Sequence, residues 1–303
     1  METALIVLRQ IAIMFLLALA GFILFRSGKL TKEGSRNITN LLVYIAIPSV
    51  IINSFLAERT QQKLNGFVLS MVLGLGLLIL AILVARLCFP RDGIADFAVS
   101  FSNAGFIGIP LITDVLGAEA VFYIAPFIAV LNLLQWTYGV SLLTGEKGSL
   151  KLKSVLTAPF MIAIIIGFAI FVSGIRIPFI LTQTVSQMAG LNTPLAMFAV
   201  GVYLAQVDFK HMLIRKENYM VSLVRLLVIP AVSLLFLTFI PLGSMQMRMA
   251  LFIAAACPVG ANVAVYAQLH NKDYPYAVET VVITTLLSFF TLPLLVFAAG
   301  FLW

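Results

Sequence analysis

Apolar and polar positions in this chain fall into long blocks, not into the short periods of an amphipathic soluble fold. Ten apolar runs are separated by brief polar breaks, at about 4–25, 37–56, 66–89, 95–117, 120–143, 155–174, 179–207, 219–240, 246–270 and 275–303. A helix needs roughly 20 apolar residues to cross a bilayer. The pattern therefore predicts an all-α polytopic membrane protein with ten transmembrane helices. The seventh and tenth runs exceed one crossing and leave room for tilt or interruption. The seventh contains the polar stretch Gln187 to Pro194. The first run holds Ala18-Leu19-Ala20, which resembles a leader cleavage site, but Glu2 and Arg9 spoil the basic-then-apolar order of a leader. It is read as the first spanning helix.

Composition agrees with this pattern. Hydrophobic residues make up 62% of the 303 and charged residues 10%, whereas soluble domains average about 45–50% and about 25%. An ordinary soluble domain, a disordered chain and a disulfide-stapled secreted fold are excluded. Cys88 and Cys257 lie in separate apolar runs without metal-ligand spacing and read as free thiols. The net charge of +7 comes from basic residues scattered singly between apolar runs, a distribution that does not read as a nucleic-acid surface. It reads instead as orientation. Of the 19 Lys and Arg, 13 follow the first, third, fifth, seventh and ninth runs, five lie on the other side, and Arg225 lies within a run. The positive-inside rule places the odd loops in the cytoplasm and both termini outside. A short linker, 146–154, separates a first half, 1–145, from a second, 155–303, each with five runs. An odd number per half makes the second half enter from the opposite face, so repeated halves would be inverted repeats.

Two runs carry helix-breaking clusters near their middles. The fourth reads Phe101-Ser-Asn-Ala-Gly-Phe-Ile-Gly-Ile-Pro110, and the ninth reads Ala254-Ala-Ala-Cys-Pro-Val-Gly-Ala-Asn-Val263. Proline removes an amide donor, and glycine permits backbone geometries that other residues avoid. Broken backbone at mid-bilayer is costly unless protein or trapped water satisfies it. Matched breaks in the two halves predict unwound segments that cross near the midplane. The helix N-termini that follow would offer unpaired amides and positive dipole ends, an anion site without a cationic side chain. Asn103 and Asn262 would add amide groups, with Gly105 and Gly260 at near-equivalent places.

These motifs, together with Tyr44-Ile-Ala-Ile-Pro48 in the second run, resemble the auxin efflux carrier family over essentially the whole chain. That family includes plant auxin carriers and many bacterial organic-acid permeases. The resemblance implies a scaffold of helices one, two, six and seven that mediates homodimerisation. It implies a transport domain of helices three to five and eight to ten, moving as an elevator with substrate at the crossover. By motif, Asn103 and Pro110 match the fourth-helix crossover and Pro258 the ninth. The short linker points to a prokaryotic-type permease in the cell membrane. The implied function is secondary transport of small organic anions, malate-type dicarboxylates or auxin-like acids. An ion-coupled symporter for another solute, or a channel or receptor on the same fold, would present the same residues.

Other polar residues refine the expectation. Asn132 and Gln135, three apart on one helix face, could line the path or bond between helices. Asp96, Arg225 and Glu279 are the ionisable groups nearest apolar cores, candidates for coupling or gating. Each lies within about two turns of a cytoplasmic end, where a long side chain can snorkel. Trp136 reads as packing, and Tyr266 as a residue that could face the site. His211 and His270 have no partners at metal-ligand spacing, so no metal or other cofactor is expected. No intramembrane protease or hydrolase motif is present, and an enzyme is not expected.

Overall fold

The computed structural model describes residues 2–145, 156–175 and 177–303. The linker 146–154 and Val155 lie outside the described residues, as do Lys147, Lys151, Lys153 and Arg176 from the charge count. Every predicted run contains helix. We number them α1 (Glu2–Arg26), α2 (Lys32–Phe55), α3 (Gln61–Cys88), α4a (Gly93–Ser100), α4b (Ala104–Leu116) and α5 (Ala118–Thr144). The second half gives α6 (Pro159–Ser173), α7 (Phe179–Gln206), α8 (Lys216–Phe239), α9a (Met245–Ala256), α9b (Asn262–Leu269) and α10 (Tyr274–Leu302). Seven of these are long and apolar enough to cross a bilayer, and no strand occurs among the described residues. The protein is an all-α, multi-pass membrane protein.

Several helices start earlier than their apolar runs. α2 begins at Lys32 because Thr31 accepts from the Gly34 amide, and α3 at Gln61 because Thr60 accepts from the Lys63 amide. The cap, not the first apolar residue, fixes the start. The seventh run is interrupted, with Leu191 between the segments Phe179–Gly190 and Asn192–Gln206, whereas α10 runs on through Pro293.

One local device recurs three times. Pro48, Pro110 and Pro230 each follow an isoleucine that closes a wide π turn: Ile47 N–H donates to Leu42 O, Ile109 to Ala104 O, and Ile229 to Val224 O. Proline cannot donate to the carbonyl four residues back. The preceding amide reaches back five residues instead, and the helix continues past the proline with one wider turn.

The helices pack as one continuous bundle. α1 lies along Asn192–Gln206, and α2 packs on α6 and on Phe179–Gly190. Gly201 permits the first contact, since a Cβ there would overlap the Ala18 carbonyl. Elsewhere α3 packs on α4a and α5, α10 packs on α8 and α9b, and α1 also meets α10 and α4b. Leu16, Val72, Ile165 and Phe179 turn large apolar side chains outward, as lipid-facing surfaces require.

Candidate functional site: the crossing of two broken helices

Helix α4 stops at Ser100, and Phe101 is extended; helix α9 stops at Ala256, and Cys257 is likewise non-helical. The two unwound segments meet as an isolated antiparallel bridge between Ser102 and Val259. Asn103 N–H donates to Pro258 O at 2.8 Å, and Gly260 N–H to Phe101 O at 3.0 Å. Val259 N–H donates to Thr284 Oγ1 on α10 at 3.2 Å. Each break thus satisfies part of the other's backbone, which is what makes two breaks tolerable away from water. Gly260 is required by the closeness of the strands: a Cβ there would sit 3.0 Å from Ser102 O and 3.2 Å from Phe101 O.

Beyond the bridge, α4b and α9b begin side by side. Asn103 caps α4b, its Oδ1 accepting from Phe106 N–H at 3.2 Å. That bond fixes the amide orientation and leaves Nδ2 with no hydrogen bond among the described residues. The backbone amides of Ala104, Gly105, Ala261 and Asn262 are also without partners among the described residues. Across the site, Asn262 Nδ2 donates to Gln135 Oε1 on α5 at 2.7 Å. If both amides were turned over, the bond would survive in reverse, and one NH2 group would still remain free. Asn132 Nδ2 instead donates to Ile128 O, one turn back on its own helix, at 2.8 Å.

These groups face a cavity of about 350 Å³. Six of the eight expected binding residues line it: Asn103, Gly105, Gly260, Asn262, Asn132 and Gln135. The other two do not. Pro110 is buried in α4b, just past the π turn that Ile109 closes, and Pro258 gives its carbonyl to the bridge. Neither reaches the cavity, because what a proline contributes here is backbone shape.

The cavity also takes in residues that the sequence did not single out. Ser102 lines it with a buried hydroxyl that has no partner among the described residues. Trp136, expected to be simple packing, forms part of the wall and meets Tyr266 edge-on at 5.2 Å. Val43 and Ile47 of α2 and the start of α6 at Ala158, Pro159 and Phe160 complete one side. None of the lining side chains is charged. The polar groups cluster at the crossing, and the rest of the wall is apolar or aromatic, the usual build of a small-molecule pocket.

The three ionisable candidates lie elsewhere, and none of them snorkels. Asp96 is fully buried, accepting from Ser100 Oγ at 3.1 Å and Tyr138 OH at 3.4 Å, with Arg86 at 3.5 Å. Glu279 is 4% exposed and holds His211 Nδ1 at 2.5 Å and Asn218 Nδ2 at 3.1 Å. Arg225 is 1% exposed and donates to three backbone carbonyls, those of Val99, Ala255 and Cys257. Snorkelling fails because the helices pack around these positions and supply internal partners.

The two mutually bonded broken helices border an internal cavity, and the sequence places the chain in the class of membrane transport proteins. The chain belongs to the auxin efflux carrier family: a family model described as membrane transport protein matches residues 6–296. It is similar to an "uncharacterized transporter" of Methanothermobacter thermautotrophicus, 24% identical over 288 residues covering 92% of this chain and 93% of that protein. A second "uncharacterized transporter", from Methanocaldococcus jannaschii, is 22% identical over 299 residues, 94% and 96% of the two chains. A "putative malonate transporter" of Rhizobium meliloti is 25% identical over 269 residues, 83% of this chain and 82% of that one.

Proposed function

We propose that this protein is a secondary carrier of small organic anions and binds a carboxylate at the crossing of α4 and α9. The observation that carries the reading is the set of unpaired N–H donors facing one uncharged cavity. A carboxylate there would receive charge-assisted hydrogen bonds, each worth about 1.5–3 kcal/mol. Two helix N-termini would add up to about 2 kcal/mol each in a partly buried setting. The similarity to a relative named for malonate transport favours a short carboxylate.

The halves 1–145 and 155–303 act as inverted five-helix repeats. α1, α2, α6 and α7 form the scaffold of a homodimer, and the remaining helices form a transport domain that carries the crossing across the membrane. The family resemblance supports the division, and few polar side-chain bonds among the described residues join the two sets. With odd loops in the cytoplasm of a bacterial inner membrane and both termini outside, the cavity faces inward, because Ala158–Phe160 and Leu269 lie at that end.

Uptake of labelled malonate into proteoliposomes tests the function. Wild-type protein is expected to give saturable uptake, and Asn103→Ala to lower kcat/KM about tenfold or more through the lost donor and cap. Non-saturating flux, or Asn103→Ala kinetics equal to wild type, would contradict the reading.

A further inference from the structure

The Arg225 guanidinium sits where two helices end against each other. Val99 is in the last turn of α4a, Ala255 is in the last turn of α9a, and Cys257 follows directly. Nη1 donates to Val99 O and Nε to Cys257 O, both at 2.9 Å, and Nη2 donates to Ala255 O. One side chain on a third helix therefore neutralises two convergent negative dipole ends and bonds to both sides of the crossing. The planar fork of arginine can reach three carbonyls in fixed directions, which a lysine ammonium cannot.

A further observation ties this clamp to the cavity. Ser102 is 4% exposed, its hydroxyl has no partner among the described residues, and it lines both the main cavity and a void of about 10 Å³ beside Arg225 and Ser100. The arginine and the cavity are thus separated by one residue of unwound backbone. That residue belongs to the bridge whose far side bears the free amides.

We propose that Arg225 is a tethered counter-ion that assembles the crossing, and so acts as a positioning residue for anion binding. It holds the C-terminal ends of α4a and α9a together, and the bridge then aims the N-terminal amides of α4b and α9b into one cavity. The crossing carries its own cation, so its assembly needs no metal ion. The binding part of this inference rests on the proposed anion site; the assembly part does not.

The test uses the full chain in lipid, as wild type, Arg225→Ala and Arg225→Lys. Hydrogen exchange is followed at 101–107 and 257–263, with α1 and α7 as references and no substrate present. Arg225→Ala is expected to lose protection at those two segments while α1 and α7 keep theirs. Millimolar guanidinium should restore it, and sodium at equal ionic strength should not. In the malonate assay the same variant should show a KM raised about tenfold, equivalent to the loss of one partly buried charge interaction, again rescued by guanidinium. Should Arg225→Ala not fold, Arg225→Lys serves, with protection and KM between the extremes. Unchanged exchange in a folded Arg225→Ala, loosening spread over all helices, failure of guanidinium rescue, or a lysine variant equal to wild type would each overturn the proposal. If wild type takes up no malonate while the exchange pattern holds, the substrate reading falls and the clamp stands.

Discussion

Asn103 does two jobs with two atoms. Its Oδ1 caps α4b, and its Nδ2, beside the amides of Ala104 and Gly105, has no partner among the described residues. Asn103→Asp separates the jobs. Aspartate caps helices as well as asparagine does, so the thermal midpoint should stay close to wild type. The donor, however, becomes a second anionic oxygen against the bound anion, and like charges brought together cost several kcal/mol. Affinity for a carboxylate should fall by at least about a hundredfold. A thermal midpoint lowered as far as in Asn103→Ala would show that capping had been misassigned. At this scale the sequence was partly legible. Asn103, Asn262 and the glycines stand out because polar and flexible residues at mid-span are costly unless used. Trp136 and Ser102 did not stand out, since an aromatic or a small hydroxyl in an apolar run is most simply packing. Arg225 was visible as a charge, but its partners are backbone carbonyls 30 to 126 residues away, and no local pattern encodes them.

Among the elements, the two breaks were foreseen and their mutual pairing was not. Gly and Pro clusters say where a helix fails; only the fold says that Asn103 and Gly260 hand their amides to the opposite segment. The same holds for the π turns before Pro48, Pro110 and Pro230, where the proline is legible and the wider turn is its consequence in three dimensions. Gly260→Ala tests the closeness of the crossing. The added Cβ would press on two backbone carbonyls that cannot rotate away. A cost of about 1–3 kcal/mol is expected from such overpacking, read as a lowered unfolding midpoint, with protection lost first at 101–107 and 257–263. Gly105→Ala serves as the control, because a Cβ there meets nothing within 4 Å. Equal destabilisation by both substitutions would contradict the geometry.

For the whole molecule, the apolar runs sufficed to give an all-α multi-pass membrane protein, and helix is found in each run. The proposed grouping of helices into a moving and a static set is something hydropathy does not report. A polar contact crosses between the proposed sets near the outer ends: Gln10 of α1 donates to Asp114 of α4b at 2.5 Å, joined by Thr193 of α7 at 3.3 Å. If the transport domain slides past the scaffold, Gln10→Cys with Asp114→Cys should form a crosslink that arrests malonate uptake, and reduction should release it. Full uptake by a fully crosslinked sample would exclude relative movement at this contact.

The central claim is that the crossing itself is the anion site. The most direct measurement is ligand-induced stabilisation of purified wild type and Asn103→Asp by malonate, malate and indole-3-acetate. A carboxylate at 100 times its dissociation constant adds about 2.7 kcal/mol to the folded state. The account predicts that at least one of these acids raises the wild-type unfolding midpoint and leaves Asn103→Asp unmoved. Equal stabilisation of both proteins, or none of wild type by any of the three acids, would contradict it.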